Sequence, residues 1–360
     1  MPSAAVVGAG VTGSALAGEL ARRGFDVTLY EQHRPGTVRS ASGGDTRLTR
    51  AGHGPEEWYA RSALRALDLW RELEADTGTH LFDEVGLAWL AQSADGFEAR
   101  CRPVLERLEV EHEWLSTDDA RRLFPTLDTS GLEGVLWEPG AGVLHARAAT
   151  QLLAAEAVRH GVRFETGRAD PATPPHADVV VWACGAWLPS LFPGVVEVEV
   201  SRRDVFFFGA GPDWNGAPGF VEYDAGFYGH GDIGGLGVKV CPDFPAPLVD
   251  PDTLERLPTP VLLEDARRYA AARFPALAGA PVLGARVCQY DLTADTHFLV
   301  DRHPEQSTWW LVGGGSGHGF KHGPALAEYV AECVEGRREP EAFHALGART
   351  GDAGLRTGAS

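Results

Sequence analysis

Lysine is almost absent from this chain. Of its 32 basic residues, Lys239 and Lys321 are the only lysines, and the other 30 are arginines. Acidic residues number 50, which gives the 360-residue chain a formal charge of −18. A protein this short of positive charge offers no basic face to nucleic-acid phosphates or to an anionic membrane surface. We therefore expect a small-molecule partner, with no nucleic acid and no membrane.

Long apolar runs and paired cysteines are absent as well. No stretch approaches the roughly 20 apolar residues that cross a bilayer. No charged region with a long apolar segment precedes the strand-like residues 4–7, as a secretory signal would require. The five cysteines are scattered without a C-x-x-C pair, and the 13 histidines form no H-E-x-x-H motif. These absences predict a cytoplasmic protein with reduced thiols and no metal site.

The first 31 residues carry the clearest pattern that is present. A short apolar strand leads into a G-x-G-x-x-G turn and an alanine- and leucine-rich helix, and a second strand ends in an acid 18 positions after the last glycine. Such a unit binds a dinucleotide: the glycines let the backbone approach the pyrophosphate, the helix N-terminus faces it, and the acid accepts from ribose hydroxyls. The predicted binding residues here are Gly8, Gly10, Val11, Thr12, Gly13 and Glu31.

Segments of this α/β type alternate with segments of other character. Arginine- and glutamate-rich helical patterns fill residues 52–135, with a short helix predicted over Thr117 to Phe124, and β-branched and aromatic residues with glycine turns between 197 and 240 indicate an antiparallel sheet. We predict a mixed α/β protein of two interleaved domains. The Rossmann-type domain would comprise residues 1–50, 140–195 and 285–340, the substrate domain residues 51–139 and 196–284, and a frayed tail residues 341–360.

Three further segments hold residues suited to chemistry. After a small-residue turn come Arg47 and Arg50, which on a helical turn could both face one carboxylate, although a surface arginine pair is the alternative. The glycine-rich segment 313–319 lets the backbone approach a planar ring before a helix that offers its positive end. Within it, His318 is equally consistent with a packed imidazole. Cys288 lies on a predicted strand edge and is by itself typical of a small buried hydrophobe.

In order along the chain, these motifs resemble the monomeric sarcosine oxidase and N-methyltryptophan oxidase group of the D-amino-acid-oxidase-like flavoproteins, from Val6 to about Val334. The most specific matches are Gly44-Asp45-Thr46-Arg47, Gly185-Ala186-Trp187, Tyr228-Gly229, Gly237-Val238-Lys239, Cys288-Gln289-Tyr290, Phe298-Leu299-Val300-Asp301-Arg302-His303-Pro304 and Ser316-Gly317-His318-Gly319-Phe320-Lys321. The resemblance implies that the Rossmann-type domain binds FAD and that O2 is the electron acceptor.

The resemblance also implies a role for each matching residue. Cys288 matches the cysteine that holds FAD covalently through a thioether, and Lys239 matches the lysine that activates dioxygen. Arg50 and Lys321 match the pair that grips a substrate carboxylate. The residues that match the flavin face and the substrate pocket are Thr46, Arg47, Tyr228 and Tyr290. The other cofactor-binding residues that it implies are Gly43, Gly44, Asp45, Cys184, Gly185, Trp187, Gly315, Gly317, His318, Gly319 and Phe320.

One position departs from the sarcosine oxidase pattern. Asp243 stands four residues after Lys239, where those enzymes carry a pocket histidine. A carboxylate there would favour a cationic or hydrogen-bond-donating substrate group and would raise the pKa of a neighbouring amine, which disfavours sarcosine itself. In the alternative, Asp243 turns outward in a Pro-Asp turn.

The main functional hypothesis is a monomeric FAD-dependent amine oxidase. It would oxidise the C–N bond of an amino acid or a related carboxylated secondary or cyclic amine by hydride transfer to flavin N5, with H2O2 as product. The alternative is a biosynthetic enzyme that oxidises a cyclic imino acid or a specialised-metabolite intermediate, which the arginine bias of a GC-rich bacterial genome favours. A flavin-binding subunit without catalysis is disfavoured by the joint presence of Lys239, Lys321 and Cys288.

Overall fold

The computed structural model describes residues 1–347, 349 and 355. Within residues 1–347, the strands are β1 (Ser3–Val7), β2 (Asp26–Glu31), β3 (Arg47–Thr49), β4 (Phe82–Asp83), β5 (Leu87–Ala91), β6 (Glu113–Leu115), β7 (Gly134–Glu138), β8 (Gly142–Leu144), β9 (Arg163–Thr166), β10 (Val179–Trp182), β11 (Glu199–Phe208), β12 (Gly219–Glu222), β13 (Phe227–Asp232), β14 (Val238–Pro242), β15 (Val282–Leu292), β16 (Leu299–Arg302) and β17 (Trp309–Gly313). The α-helices are α1 (Val11–Arg22), α2 (Glu57–Thr77), α3 (Phe97–Arg107), α4 (Thr117–Ala120), α5 (Ala146–Arg159), α6 (Leu188–Leu191), α7 (Pro260–Arg273) and α8 (Gly323–Val334).

A six-stranded sheet is built on the N-terminal fingerprint. Its order is β16-β17-β10-β1-β2-β9, and every neighbouring pair is parallel except β16 and β17. Helices α5 and α8 pack against α1. The sheet residues Val6, Leu29 and Val181 are fully buried, as expected for parallel strands whose faces are covered. Strand β1 has β2 on one side and β10 on the other, so the direction of the chain connections changes at β1. Ligands of such sheets bind at this change of direction, beyond the carboxyl ends of the strands.

An eight-stranded sheet forms the second large layer. Its order is β15-β11-β14-β13-β12-β5-β7-β6, and its one parallel pair is β12 with β5. Helix α7 packs against β14 and β11, and the buried aromatic residues Phe206, Phe220 and Phe274 belong to the core there. A small sheet of order β3-β8-β4 completes the strands. The predicted antiparallel sheet between residues 197 and 240 is confirmed.

The strands follow the predicted segments with one departure. Those of the six-stranded sheet lie within residues 1–50, 140–195 and 285–340, whereas β15 of the eight-stranded sheet runs across residue 285. The division into two domains stays a prediction. Among the described residues, no helix combines the length and the apolar character that crossing a bilayer would take.

Three local predictions are wrong. Arg47 lies in strand β3, paired with Leu144, rather than on a helical turn. The helix predicted from Thr117 to Phe124 is the four-residue α4 followed by a 3-10 turn over Arg121–Leu123, and Phe124 is extended because Pro125 disfavours helical geometry at the residue before it.

The third concerns the predicted frayed tail. His344 closes a 3-10 turn and is buried, and Leu355 is buried in the core of the six-stranded sheet. Residues 348, 350–354 and 356–360 of that predicted tail lie outside the described residues.

Candidate active site

A long cleft runs past the carboxyl ends of the six-stranded sheet. It encloses about 1290 Å³ of space, part of it open to solvent. Most of the predicted cofactor-binding residues line it, although they come from distant parts of the chain. They are Gly8, Gly10, Val11, Thr12, Glu31, Cys184, Gly185, Trp187, Gly315, Gly317, Gly319 and Phe320, joined by Arg47 and Tyr290.

The fingerprint end of the cleft has the shape that a dinucleotide needs. Gly8 has a φ of 101°, which glycine alone adopts readily. A Cβ at Gly13 would lie 1.9 Å from the carbonyl oxygen of Gly8, so only glycine lets α1 pack this close. The carboxylate of Glu31 accepts from the backbone N–H of Ala9 and of His33, both at 2.8 Å, and these bonds hold it at the end of β2. The turn, the helix N-terminus and the acid therefore fit a dinucleotide.

A second cavity, of about 380 Å³, lies beside the cleft and is lined in part by Lys239. The Nζ of Lys239 donates to the carbonyl oxygen of Thr46 at 3.1 Å and to its hydroxyl oxygen at 3.3 Å. Burial lowers the pKa of Lys239. The other predicted site residues that line this cavity are Gly43, Gly44, Asp45, Thr46, Arg47 and Cys288.

A hydrogen-bonded chain orients Lys239. The Nδ1 of His230 lies 2.7 Å from the carbonyl oxygen of Gly231 and must donate to it, which leaves Nε2 as an acceptor. That Nε2 lies 2.8 Å from the hydroxyl of Thr46, which therefore donates to His230 and accepts from Lys239. Burial and the charge of Lys239 lower the pKa of His230 to about 3, so the ring is neutral. Sequence reasoning missed His230 because only the register of β13 against β14 sets it opposite Lys239.

Arg47 lies where the cleft meets the second cavity. Its guanidinium donates to the carbonyl oxygens of Thr46 at 2.8 Å and Ala41 at 2.5 Å, and one of its nitrogens is 3.5 Å from Cys288 Sγ. Cys288 lies on β15, an edge strand as predicted. Asp45 forms ion pairs with two arginines of the surrounding elements, Arg147 and Arg286. Its carboxylate is thus held by the protein itself.

The tyrosines of the predicted substrate pocket contact each other. The hydroxyl groups of Tyr228 and Tyr290 are 2.9 Å apart, and burial raises the pKa of both phenols. Asp243 is buried and forms an ion pair with Arg203, with 3.0 Å between Oδ1 and Nε. The guanidinium of Arg203 in turn stacks 4.7 Å from the ring centre of Tyr290. The outward-facing alternative for Asp243 is therefore wrong, and Arg203, which sequence reasoning missed, balances the charge that was expected to draw a cationic substrate group.

Arg50 and Lys321 form a second group of cations. Lys321 is buried, its Nζ donates to the carbonyl oxygen of His318 at 2.9 Å, and burial together with the nearby charge of Arg50 lowers its pKa. Arg50 packs over the ring of Trp89, with 4.8 Å from the guanidinium carbon to the ring centre. It also donates to the carbonyl oxygen of Leu355 at 3.2 Å. The two basic side chains thus lie together, whereas Arg47, on β3, contacts Thr46, Ala41 and Cys288 instead.

Comparison with known proteins identifies the family. Residues 3–333 match the family described as FAD dependent oxidoreductase. The chain is 30% identical to a monomeric sarcosine oxidase of Streptomyces avermitilis over 91% of this chain and 92% of that protein. It is 26% identical to an N-methyl-L-tryptophan oxidase of Yersinia pestis, covering 93% and 95% of the two chains.

Solved structures agree with the predicted mixed α/β fold. An L-proline dehydrogenase from P. horikoshii superposes with a TM-score of 0.83 at 22% identity, covering 96% of each chain. A fructosyl amine oxygen oxidoreductase from Aspergillus fumigatus gives a TM-score of 0.77 at 23% identity, covering 96% of this chain and 89% of the other. The predicted family resemblance is confirmed: this chain belongs to the FAD-dependent oxidoreductases.

Proposed function

We propose that this oxidoreductase is an amine oxidase for an amino acid or a related carboxylated secondary or cyclic amine, with O2 as the acceptor and H2O2 as the product. The observation that carries the proposal is the grouping of Arg50 with buried Lys321, since two adjacent cations suit a substrate carboxylate. Sarcosine and N-methyl-L-tryptophan, which the relatives' names mention, are carboxylated secondary amines.

FAD fits the cleft that the structure describes. Gly8 and the start of α1 would hold its pyrophosphate, Glu31 would accept from its ribose, and Cys288 would hold its ring through a thioether. Bound FAD supplies a hydride acceptor for the substrate carbon and passes the electrons on to O2. The covalent bond predicts that acid precipitation leaves the yellow colour on the polypeptide, whereas colour in the supernatant would rule out the role of Cys288.

Lys239 would serve the oxygen half of the reaction. Its ammonium is held by Thr46 in a buried cavity, and Thr46 is itself oriented by His230. A compact cation in a dry site stabilises the negative charge that develops on dioxygen. His230 and Thr46 act as positioning residues, since they fix where the Nζ of Lys239 points.

The carboxylate site can be tested with substrate pairs. We expect the purified yellow protein to release H2O2 with carboxylated secondary or cyclic amines such as sarcosine, proline, pipecolate or N-methyltryptophan. Arg50→Gln and Lys321→Met should raise KM about tenfold to 100-fold for such a substrate, because each removes a charged hydrogen-bond donor. Arg61→Gln, at an exposed arginine on α2, is the matched control and should change KM by less than about twofold.

The same assay decides whether the carboxylate matters. Oxidation of a carboxylate-free amine should be insensitive to Arg50→Gln. Equal loss for both substrate types, or a colourless protein, would contradict the proposal. The biosynthetic alternative, a cyclic imino acid or a specialised-metabolite intermediate as substrate, predicts turnover of a cyclic substrate without turnover of sarcosine. A monomeric state and a cytoplasmic location stay predictions.

A further inference from the structure

Three buried histidines from different parts of the chain meet beside Lys321. His53 follows β3, His318 lies in the glycine-rich loop after β17, and His322 immediately precedes α8. One ring nitrogen of each lies within 4.8 Å of the corresponding nitrogens of the other two. Their exposed fractions are 1%, 5% and 0%. The cluster is therefore enclosed by protein.

Backbone carbonyls determine which nitrogen is free in two of these rings. His53 Nδ1 lies 2.9 Å from the carbonyl oxygen of Ala51, and His318 Nε2 lies 2.9 Å from that of Thr296. A carbonyl can only accept, so each of these nitrogens carries the proton. The opposite nitrogens, Nε2 of His53 and Nδ1 of His318, then present lone pairs when the rings are neutral.

The third ring has a hydroxyl rather than a carbonyl as its partner. His322 Nδ1 lies 3.0 Å from the hydroxyl of Ser62, which leaves Nε2 on the other side of the ring. In the described part of the chain, Nε2 of His53, Nδ1 of His318 and Nε2 of His322 are all buried without a hydrogen-bond partner. Buried polar atoms are almost always paired with protein, water or an ion, so the three nitrogens of this cluster are available to a ligand.

We propose that His53, His318 and His322 bind a divalent transition-metal ion of the borderline class, such as Zn²⁺ or Ni²⁺. Imidazole nitrogens suit these ions, and metal-bound histidines typically donate their other N–H to a carbonyl or similar acceptor, as His53 and His318 do. Three protein ligands leave one tetrahedral position open for water or a carboxylate.

Charged side chains of both signs lie near the cluster, and the positive ones oppose the binding of a cation. Lys321 and Arg50 place positive charge near the three rings. The buried carboxylate of Glu138 opposes them: it accepts from the backbone N–H of Ala51 at 2.8 Å and interacts with both Lys321 and Arg50. The metal would sit beside the proposed carboxylate site and would not replace any residue of it.

Metal content of the holoenzyme tests the site. We would express the full chain in Zn²⁺-supplemented medium, purify the yellow protein, dialyse it against a weak chelator and measure zinc by mass spectrometry. The wild type should retain about one Zn²⁺ per chain, and His53→Phe and His322→Phe should retain at least about tenfold less. His80→Ala is the matched control, because His80, Asp83 and His145 form an exposed group of possible ligands, and this variant should keep its zinc.

Each result decides the matter. Zinc below about a tenth of an ion per wild-type chain, equal zinc in the wild type and His322→Phe, or loss only in His80→Ala would overturn the proposal. Should the variants fail to fold, wild-type crystals measured at the zinc absorption edge replace them: an anomalous peak among the three histidines supports the site, and its absence overturns it. Flavin absorbance and H2O2 release from the same samples separate this outcome from a failure of the proposed oxidase function.

Discussion

At the scale of single residues, the two lysines stand apart from the 30 arginines. Lys239 and Lys321 are 2% and 3% exposed. Lys239 donates to the carbonyl oxygen of Thr46 beside the second cavity. Lys321 donates to the carbonyl oxygen of His318 near Arg50. Lysine and arginine can replace each other at most surface positions. At a buried position they are not equivalent, because the lysine ammonium is compact and can lose its proton, whereas the arginine guanidinium is planar and stays charged. We therefore expect the ammonium itself to be needed at these two positions.

Replacing Lys239 should separate the two halves of the reaction. We expect Lys239→Met to slow reoxidation of the reduced flavin by O2 at least about 100-fold, because the cation that stabilises charge on oxygen is gone. Reduction by substrate should change by less than about fivefold. Stopped-flow absorbance measures both steps. Lys239→Arg is the control for charge alone and should also be impaired, because a planar fork cannot take the place of Nζ beside Thr46. Equal slowing of both steps would contradict the role.

The ion pair of Arg203 with Asp243 predicts a stability effect. Both side chains are buried, so Asp243→Asn leaves an uncompensated guanidinium and should cost about 3–5 kcal/mol of unfolding free energy. The double variant Arg203→Met, Asp243→Leu removes both charges and should recover a large part of that loss. Urea unfolding monitored by fluorescence measures the difference. If Asp243→Asn were as stable as the wild type, the ion pair would not contribute to the free energy of unfolding.

At the scale of elements, helix α3 carries a buried acid in its first turn. Burial raises the pKa of Glu98 to about 7, above the 4.5 of an exposed glutamate. Between about pH 4.5 and pH 7, the carboxyl group of Glu98 is therefore protonated in the folded protein and ionised in the unfolded chain. This contribution to stability is complete below about pH 4.5 and is lost as the pH rises through about 7.

Glu98→Gln should flatten that dependence. Between about pH 5 and pH 8 the wild type is expected to lose up to about 3 kcal/mol from this group, while the amide, which does not titrate, loses none. Thermal unfolding at both pH values measures the effect, with Glu106→Gln on the exposed side of the same helix as control. A wild type and Glu98→Gln with parallel pH profiles would refute the assignment.

At the scale of the whole molecule, Leu355 lies far along the chain from Arg50 and contacts it. Leu355 is fully buried in the core of the six-stranded sheet, and its carbonyl oxygen accepts from Arg50. Leu355→Ala should therefore cost about 2–5 kcal/mol, since it leaves a cavity in a packed core. Leu257→Ala, at a residue 68% exposed, is the matched control and should cost less than about 0.5 kcal/mol. Chemical denaturation of the three proteins checks this, and equal stability would place Leu355 outside the core.

The sequence was most informative where adjacent residues act together. The turn at Gly8, the acid Glu31 and the edge cysteine Cys288 could each be placed because short-range pattern dictates strand, turn and helix. The pairing of Asp243 with Arg203 could not be predicted, because Arg203 lies on β11 whereas Asp243 follows the end of β14. The same holds for the strand at Arg47, whose β structure depends on its partner strand β8.

By itself, the sequence determined the family, the mixed α/β fold and the dinucleotide fingerprint, because these depend on local spacing and on an ordered set of motifs. Tertiary structure alone decided which distant groups meet: His230 with Thr46, the three histidines beside Lys321, and Leu355 against Arg50. Strand register and loop packing create those contacts, and both are set by burying apolar surface across the whole chain rather than by any short segment.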